Sequence, residues 1–180
     1  ANNTTGKDST AIGSSALFTN TTGHDNVAIG DAALYSTTSG ADNIGIGYQA
    51  LYNNTSACSN SAMGWQAMAA NTTGDFNTAV GFTALTANTT ADNNTAIGHM
   101  SLKTNNGSGH HNTAVGAFSL NSNTTAADNV AIGQGALYAN TTGANNVAVG
   151  AEALDANTTA ANNTAIGRNS LTTNTTGADN

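Results

Sequence analysis

Apolar and polar residues recur along the chain with a period of 17 residues. A short triplet such as Thr78-Ala79-Val80 or Val147-Ala148-Val149 is preceded by Asn and followed by Gly. These closing glycines are 17 residues apart, with one step of 18, at Gly13, Gly30, Gly47, Gly64, Gly81, Gly98, Gly116, Gly133, Gly150 and Gly167. A fixed period of this kind predicts stacked repeats, so residues 1–180 form a single repeat array.

Each repeat is numbered here from the residue after a closing glycine, so that the next glycine is position 17. Position 4 is Leu or Met, position 16 is Ile, Val or Met, and position 13 is Asn almost throughout. No apolar face recurs at helical spacing, and Asn, Thr and Gly are weak helix formers. The triplet instead suits a short strand that stacks on its copies. We therefore predict an all-β fold, a parallel β-solenoid of about ten 17-residue coils.

The periodic apolar positions predict a core made of two ladders. The first ladder is position 4 and the second is position 16, whose side chains we expect to point inward from the strand. The predicted core residues are Leu17, Leu34, Leu51, Met68, Leu85, Leu102, Leu120, Leu137 and Leu154, with Ile29, Ile46, Val80, Ile97, Val115, Ile132, Val149 and Ile166. The Asn side chains at position 13 are expected to hydrogen-bond from coil to coil.

Composition excludes several classes of function. The net charge is −7 with only three Lys and Arg residues, so there is no basic stripe to bind nucleic acid or an anionic membrane surface. The apolar runs are too short for membrane insertion. The lone Cys58 cannot form an internal disulfide. No set of residues has catalytic spacing, so we expect no enzyme and no cofactor.

The triplet and its flanks resemble a known family of repeats. Asn26-Val27-Ala28-Ile29-Gly30-Asp31-Ala32-Ala33 and Asn129-Val130-Ala131-Ile132-Gly133 resemble the head repeats of trimeric autotransporter adhesins. The stretch from Gly47 to Thr55 is similar to repeats of phage-type tail fibres and secreted fibre proteins. The resemblance implies a left-handed parallel β-roll, a homotrimer of chains side by side, and an extracellular adhesive head or stalk. The adhesin heads have a shorter repeat, without the Asn-Thr-Thr segment found here.

Aromatic residues recur at equal positions of neighbouring repeats. Four of them at position 1 and one at position 2 are predicted to stack into one stripe, namely Tyr48, Trp65, Phe82, His99 and Phe118. Such a stripe could contact a surface glycan, a host receptor or a partner chain. A second column, Phe18, Tyr35 and Tyr52, lies at position 5.

Polar residues offer three weaker candidate sites. His99, His110 and His111 surround the 18-residue repeat, but the Gly-rich segment before them reads as a bulged loop rather than a metal site. Acidic residues recur at position 12, where Asx-turn chemistry is favoured over Ca²⁺ binding, at Asp8, Asp25, Asp42, Asp128 and Asp179. Asn-x-Ser/Thr sequences mark possible glycosylation, although turn chemistry in the Thr-rich corner is favoured, at Asn20, Asn71, Asn88, Asn123, Asn140 and Asn157.

Together these features predict a structural protein of an extracellular fibre or filament, or an adhesin head-stalk, on a cell surface or a virion. The chain begins and ends within a repeat and shows no capping segment, so we expect a segment of a longer fibre or a filament subunit that self-associates through solenoid stacking. One alternative is an ice-binding solenoid that presents a Thr ladder at positions 8 and 9. Another is a glycan-binding segment of a phage tail fibre.

Overall fold

The computed structural model describes residues 2–180 and contains ten strands of three residues each. They are β1 (Thr10–Ile12), β2 (Val27–Ile29), β3 (Ile44–Ile46), β4 (Ser61–Met63), β5 (Thr78–Val80), β6 (Thr95–Ile97), β7 (Thr113–Val115), β8 (Val130–Ile132), β9 (Val147–Val149) and β10 (Thr164–Ile166). All strands are parallel and lie in one sheet in chain order. The predicted parallel β-solenoid is confirmed, with about nine turns of about 17 residues. The described residues include no helix with the length and apolar character needed to cross a membrane.

The strands keep one register along the whole array. Thr78, Ala79 and Val80 pair with Thr95, Ala96 and Ile97, and every other step repeats this position-for-position match. The 18-residue step is no exception, since Thr95 pairs with Thr113. With neighbouring strands about 4.8 Å apart, the sheet is a ribbon roughly 45 Å long and three residues wide.

The core is a thin column of Leu and Ala side chains. Leu34 through Leu154 at position 4 are fully buried, and so are the Ala residues at positions 3 and 15 that pack against them. The fit is tight on the strand side. At Gly45, the only non-Ala residue at position 15, an added Cβ would lie 3.1 Å from Leu34 Cγ. The interior facing each strand therefore has room for little more than a methyl group.

This narrow interior corrects the predicted second core ladder. Ala96, in the middle of β6, is fully buried, whereas Ile97 is 39% exposed. The same holds along the column: Ile132 and Ile166 are exposed, and Ile29, Ile46, Val80, Val115 and Val149 are half-buried. The prediction that position 16 lies in the core is wrong, because Leu at position 4 already fills the space and only Ala or Gly fits opposite it.

Two columns of buried Asn complete the interior. At position 13, the Nδ2 of Asn43 donates to Oδ1 of Asn26 in the preceding coil (3.1 Å) and to the carbonyl of Ala57 in the next coil (2.8 Å). At position 7, the Nδ2 of Asn88 donates to Oδ1 of Asn71 (2.9 Å) and to the carbonyl of Ala91 in its own coil (2.9 Å). Buried polar groups that are paired in this way avoid the cost of desolvation and join successive coils.

The turns of each coil rely on left-handed backbone conformations. Leu at position 4 has φ near +50°, as at Leu85 (φ 51°) and Leu102 (φ 47°). Position 12 is also left-handed, as at Asp25 (φ 54°) and Asn93 (φ 59°). Asp and Asn tolerate this conformation better than other non-Gly residues. The recurrence of Asp at position 12 is thus explained by local backbone geometry.

Candidate functional site: the outward face and the side-chain columns

The most extensive exposed feature is the outer side of the sheet. We call the side chains at positions 14 and 16 of the ten strands the outward face. Position 16 is Ile, Val or Met in every coil, and position 14 is Thr, Val, Ile or Ser. None of these twenty side chains is charged. Ile44, Met63, Ile97 and Ile132 each expose more than a third of their surface. The face is therefore uncharged along the whole array, apolar at every position 16 and mixed apolar and hydroxyl-bearing at position 14.

The outward face was missed from the sequence, although one signal pointed to it. Position 15 accepts only Ala and Gly, while positions 14 and 16 accept larger residues of different shape. A position restricted to the smallest side chains indicates a confined interior, and the side chains on either side of it along a strand must then point outward. Hydrophobicity alone favoured the opposite orientation.

The aromatic stripe is a continuous stack of rings along the array. The ring centroids of Tyr48 and Trp65 are 5.9 Å apart, those of Trp65 and Phe82 4.9 Å, and those of Phe82 and His99 5.4 Å, all nearly parallel. Phe118 joins the end of the stack edge-on, 5.0 Å from His99. The faces of Trp65 and Phe82 are therefore covered by neighbouring rings, and only their edges point to solvent. Sugars stack on ring faces, so this arrangement stabilises the stack of coils and disfavours glycan binding in the middle of the stripe.

The second aromatic column has the same geometry. Phe18, Tyr35 and Tyr52 stack face to face with centroids 5.3 and 5.1 Å apart. Both columns thus run along the solenoid axis, and they overlap in the repeat that contains Tyr48 and Tyr52. Aromatic pairs of this kind contribute about 0.5–1.5 kcal/mol beyond their buried area.

The Thr-Thr segment is a corner rather than a flat ladder. Residues at positions 8 and 9, such as Thr72 and Thr73, lie in a bend outside the strands. The Thr72 hydroxyl at position 8 donates to the carbonyl of Thr89 in the next coil (2.9 Å), and Thr141 does the same to Thr158. Position 9 is exposed in the 17-residue coils, whereas position 8 is mostly half-buried. The position-8 hydroxyls therefore hold neighbouring coils together, and this arrangement gives less support to the ice-binding alternative than a flat ladder of free hydroxyls would.

The predicted glycosylation sites all lie at position 7 inside the solenoid. Asn71, Asn88, Asn123, Asn140 and Asn157 are fully buried, and Asn20 is 3% exposed. Their Nδ2 atoms, to which a glycan would be attached, donate to carbonyl oxygens of the same coil. The prediction of glycans at these residues is wrong for the folded chain, because the acceptor nitrogen is neither accessible nor free.

The three histidines of the 18-residue coil have separate surroundings. His99 belongs to the aromatic stripe, whereas Nδ1 of His110 accepts the backbone N–H of Asp92 (3.0 Å). The ring of His111 is tilted against that of His110, with centroids 6.1 Å apart. Across residues 2–180, no three His, Cys, Asp or Glu side chains are grouped so that they could hold a metal ion.

A cavity of about 130 Å³ lies in the first coil. Its lining holds no titratable side chain and consists of Asn3, Ser9, Ala11, Ala16, Leu17 and Asn20, which come from the first two repeats.

The comparisons with known proteins found no matching family model, no matching curated protein and no matching solved structure.

Proposed function

We propose that the chain is a structural, non-catalytic rod of an extracellular fibre, filament or adhesin stalk, and that copies associate side by side through the outward face. The observation that carries the proposal is the outward face itself, an uncharged ladder of mostly β-branched side chains that runs the length of the array. Ordered apolar surface of this extent is typical of a surface that another chain covers.

A second copy is the occupant whose geometry fits this face best. Its own outward face has the same axial repeat of one strand per coil, so matching ridges and grooves meet at every step. Paired sheets with identical ladders form dry, interdigitated interfaces. A globular partner without this repeat could match only a few coils.

Charge and area support weak association that grows with length. The formal net charge of −7 lies outside the outward face, so two faces meet without opposing charges at their centre. Ten strands at about 4.8 Å, each about 10 Å long, cover roughly 480 Å², so a pair buries about 1,000 Å², near the lower limit for a specific interface. Each additional coil adds area at constant geometry, as suits a fibre. The resemblance to adhesin head repeats favours a trimer and an extracellular location.

The test compares two sets of three lysine substitutions. In the first, Val80→Lys, Ile97→Lys and Val115→Lys place charges on the outward face. In the second, Thr73→Lys, Thr90→Lys and Thr125→Lys add the same charge at exposed corner positions. Sedimentation velocity over a range of concentrations should show oligomers for the wild type and the corner variant and monomers for the face variant, with unchanged circular dichroism. Electron microscopy of the wild type distinguishes a trimeric rod from a filament.

Two outcomes would refute this function. A wild-type chain that stays monomeric at the highest concentration would exclude self-association. Equal loss of association in both lysine variants would show that net charge, and not the outward face, controls it.

A further inference from the structure

One coil departs from the 17-residue repeat. Gly98 and Gly116 are 18 residues apart, and the extra residue lies in the corner formed by Asn106, Gly107, Ser108 and Gly109. The sheet register is the same on both sides, so the corner alone absorbs the insertion. The Asn ladder at position 7 has one of its gaps here. Oδ1 of Asn105 is buried and has no hydrogen-bond partner among the described residues, as is also the case for Oδ1 of Asn54 and Asn157 in 17-residue coils.

The insertion leaves the peptide unit of Gly107 outside the hydrogen-bond ladder. In most other coils the position-9 amide donates to a Thr carbonyl of the next coil, as Thr73 does to Thr89 (3.2 Å) and Thr125 to Thr141 (3.3 Å), although the amides of Thr90 and Thr159 make no such bond among the described residues. Within residues 2–180, the amide nitrogen of Gly107 makes no such bond. The side-chain amide of Asn106 is exposed and likewise has no partner in that range.

Asn106-Gly107 is also the only Asn-Gly dipeptide of the sequence. Most other Asn residues lie at positions 7 and 13, where nearly all of them are buried and most of their side-chain amides donate hydrogen bonds. At exposed sites such as Asn53, the following residue has a Cβ and its amide is engaged, since Asn54 N donates to Leu51 O (3.1 Å). Among the described residues, Asn106 thus combines an exposed side-chain amide with a following glycine, whose backbone nitrogen donates no hydrogen bond.

We propose that Asn106 is a site of spontaneous self-modification, which converts it to aspartate and isoaspartate through a succinimide. The Gly107 nitrogen attacks Asn106 Cγ and forms a C–N bond, while the side-chain amide leaves as ammonia and carries away the proton that the Gly107 nitrogen loses. Water then adds to one of the two ring carbonyls and opens the ring. Attack at Cγ returns the normal chain as aspartate, and attack at the main-chain carbonyl carbon gives isoaspartate. No oxidant or reductant is required.

The modification changes a contact between three coils. The backbone N–H of Asn106 donates to Thr124 O (3.2 Å), and the backbone carbonyl of Asn106 accepts from Thr89 Oγ1 (3.1 Å). Isoaspartate adds a methylene group to the backbone at this point and displaces one of these bonds, and either product adds a negative charge to a chain already at −7. The fraction of chains modified at the corner of the 18-residue coil should therefore rise with the time since the protein was made.

The experiment follows the folded 180-residue chain, produced without glycosylation, during incubation at mildly alkaline pH. Peptide mapping by mass spectrometry, with methylation by an isoaspartyl methyltransferase, measures conversion at each Asn. We expect Asn106 to convert at least an order of magnitude faster than Asn53, and Asn71 and Asn88 to remain intact until the chain is unfolded in urea. An Asn106 that stays unmodified in the folded chain but converts in urea would overturn the proposal.

A matched variant tests the geometry of the corner. Deletion of Ser108 keeps Asn106-Gly107 but restores a 17-residue coil, in which the Gly107 amide should donate to Thr124 O as in other coils. Conversion at Asn106 should then slow several-fold, with circular dichroism as the check of folding. An unchanged rate in the folded deletion variant would contradict the role given to the insertion. If that variant does not fold, the urea comparison decides.

Discussion

At the scale of single residues, the fold depends on backbone conformations that most residues avoid. Leu at position 4 is left-handed in every coil, at a cost of about 1–2 kcal/mol per residue. Burial of the same side chain contributes about 1.5–3 kcal/mol, so the strain is offset only because the side chain lies in the core. The closing glycine has φ near +130°, and its Cα faces the backbone of the next coil.

Substitution of a closing glycine tests this close approach. At Gly81, an added Cβ would lie 2.7 Å from the carbonyl carbon of Gly98 and nearer still to its oxygen. At Gly167 the φ is also strained (+120°), but no atom lies within 4 Å of the added Cβ. We expect Gly81→Ala to lower the free energy of unfolding by several kcal/mol, and Gly167→Ala by only about the 1–3 kcal/mol of backbone strain. Urea denaturation measures both, and equal losses would show that the contact with Gly98 is unimportant.

At the scale of the strand, three residues decide which side of the chain is inside. The middle Ala faces the Leu column, and the flanking β-branched residues form the outward face. A strand this short contains no second inward residue to confirm the alternation. The assignment therefore depends entirely on the width of the coil interior.

A pair of substitutions in β6 reports this orientation directly. Ala96→Ile places a large side chain against the Leu column and should cost about 1–3 kcal/mol or more through overpacking. Ile97→Ala removes a side chain that is 39% exposed and should cost the monomer less than about 1.5 kcal/mol. Thermal melting at low protein concentration compares the two variants. A larger loss of stability for Ile97→Ala than for Ala96→Ile would show that position 16 lies in the core.

Much of this element could be predicted from the sequence, but its orientation could not. The period, the short strand, the Leu column and the Asn ladder follow from residues that recur at fixed positions. The inward face of the strand depends on how far Leu85 reaches across the coil, which no local pattern encodes. Glycosylation at Asn88 could not be judged from the sequence for the same reason, since the three-residue Asn-x-Thr motif does not show whether the Asn is buried. The outward orientation of Ile97 follows from the filled interior of the coil, which the structure shows and the sequence does not.

At the scale of the whole molecule, each coil contacts only its neighbours, so stability is close to a sum over repeats. Backbone bonds, two Asn columns and aromatic stacks all connect one coil to the next. Within residues 2–180, the buried apolar side chains form one column, so the coils have no second core there. The length of the ribbon can therefore change by whole coils without a change in the contacts that remain.

Removal of one coil tests this additivity. Deletion of residues 82–98 joins Gly81 to His99 and keeps every position in register. The shortened chain should fold, with a lower denaturant m-value and a lower free energy of unfolding, since it buries one coil less. Deletion of residues 82–89, about half a coil, should prevent folding of that region because it misaligns the strands. A folded and equally stable half-coil variant would contradict the description of the chain as a stack of equal units.

The 18-residue coil has a consequence for what the rod can carry. Because the corner at Ser108 accepts an added residue while β6 and β7 keep their pairing, corners and sheet behave as separable parts. Foreign peptides inserted at successive corners would project from one edge at intervals of about 4.8 Å, or any multiple of it. The distance between two inserted epitopes or enzymes could therefore be chosen in steps of one coil.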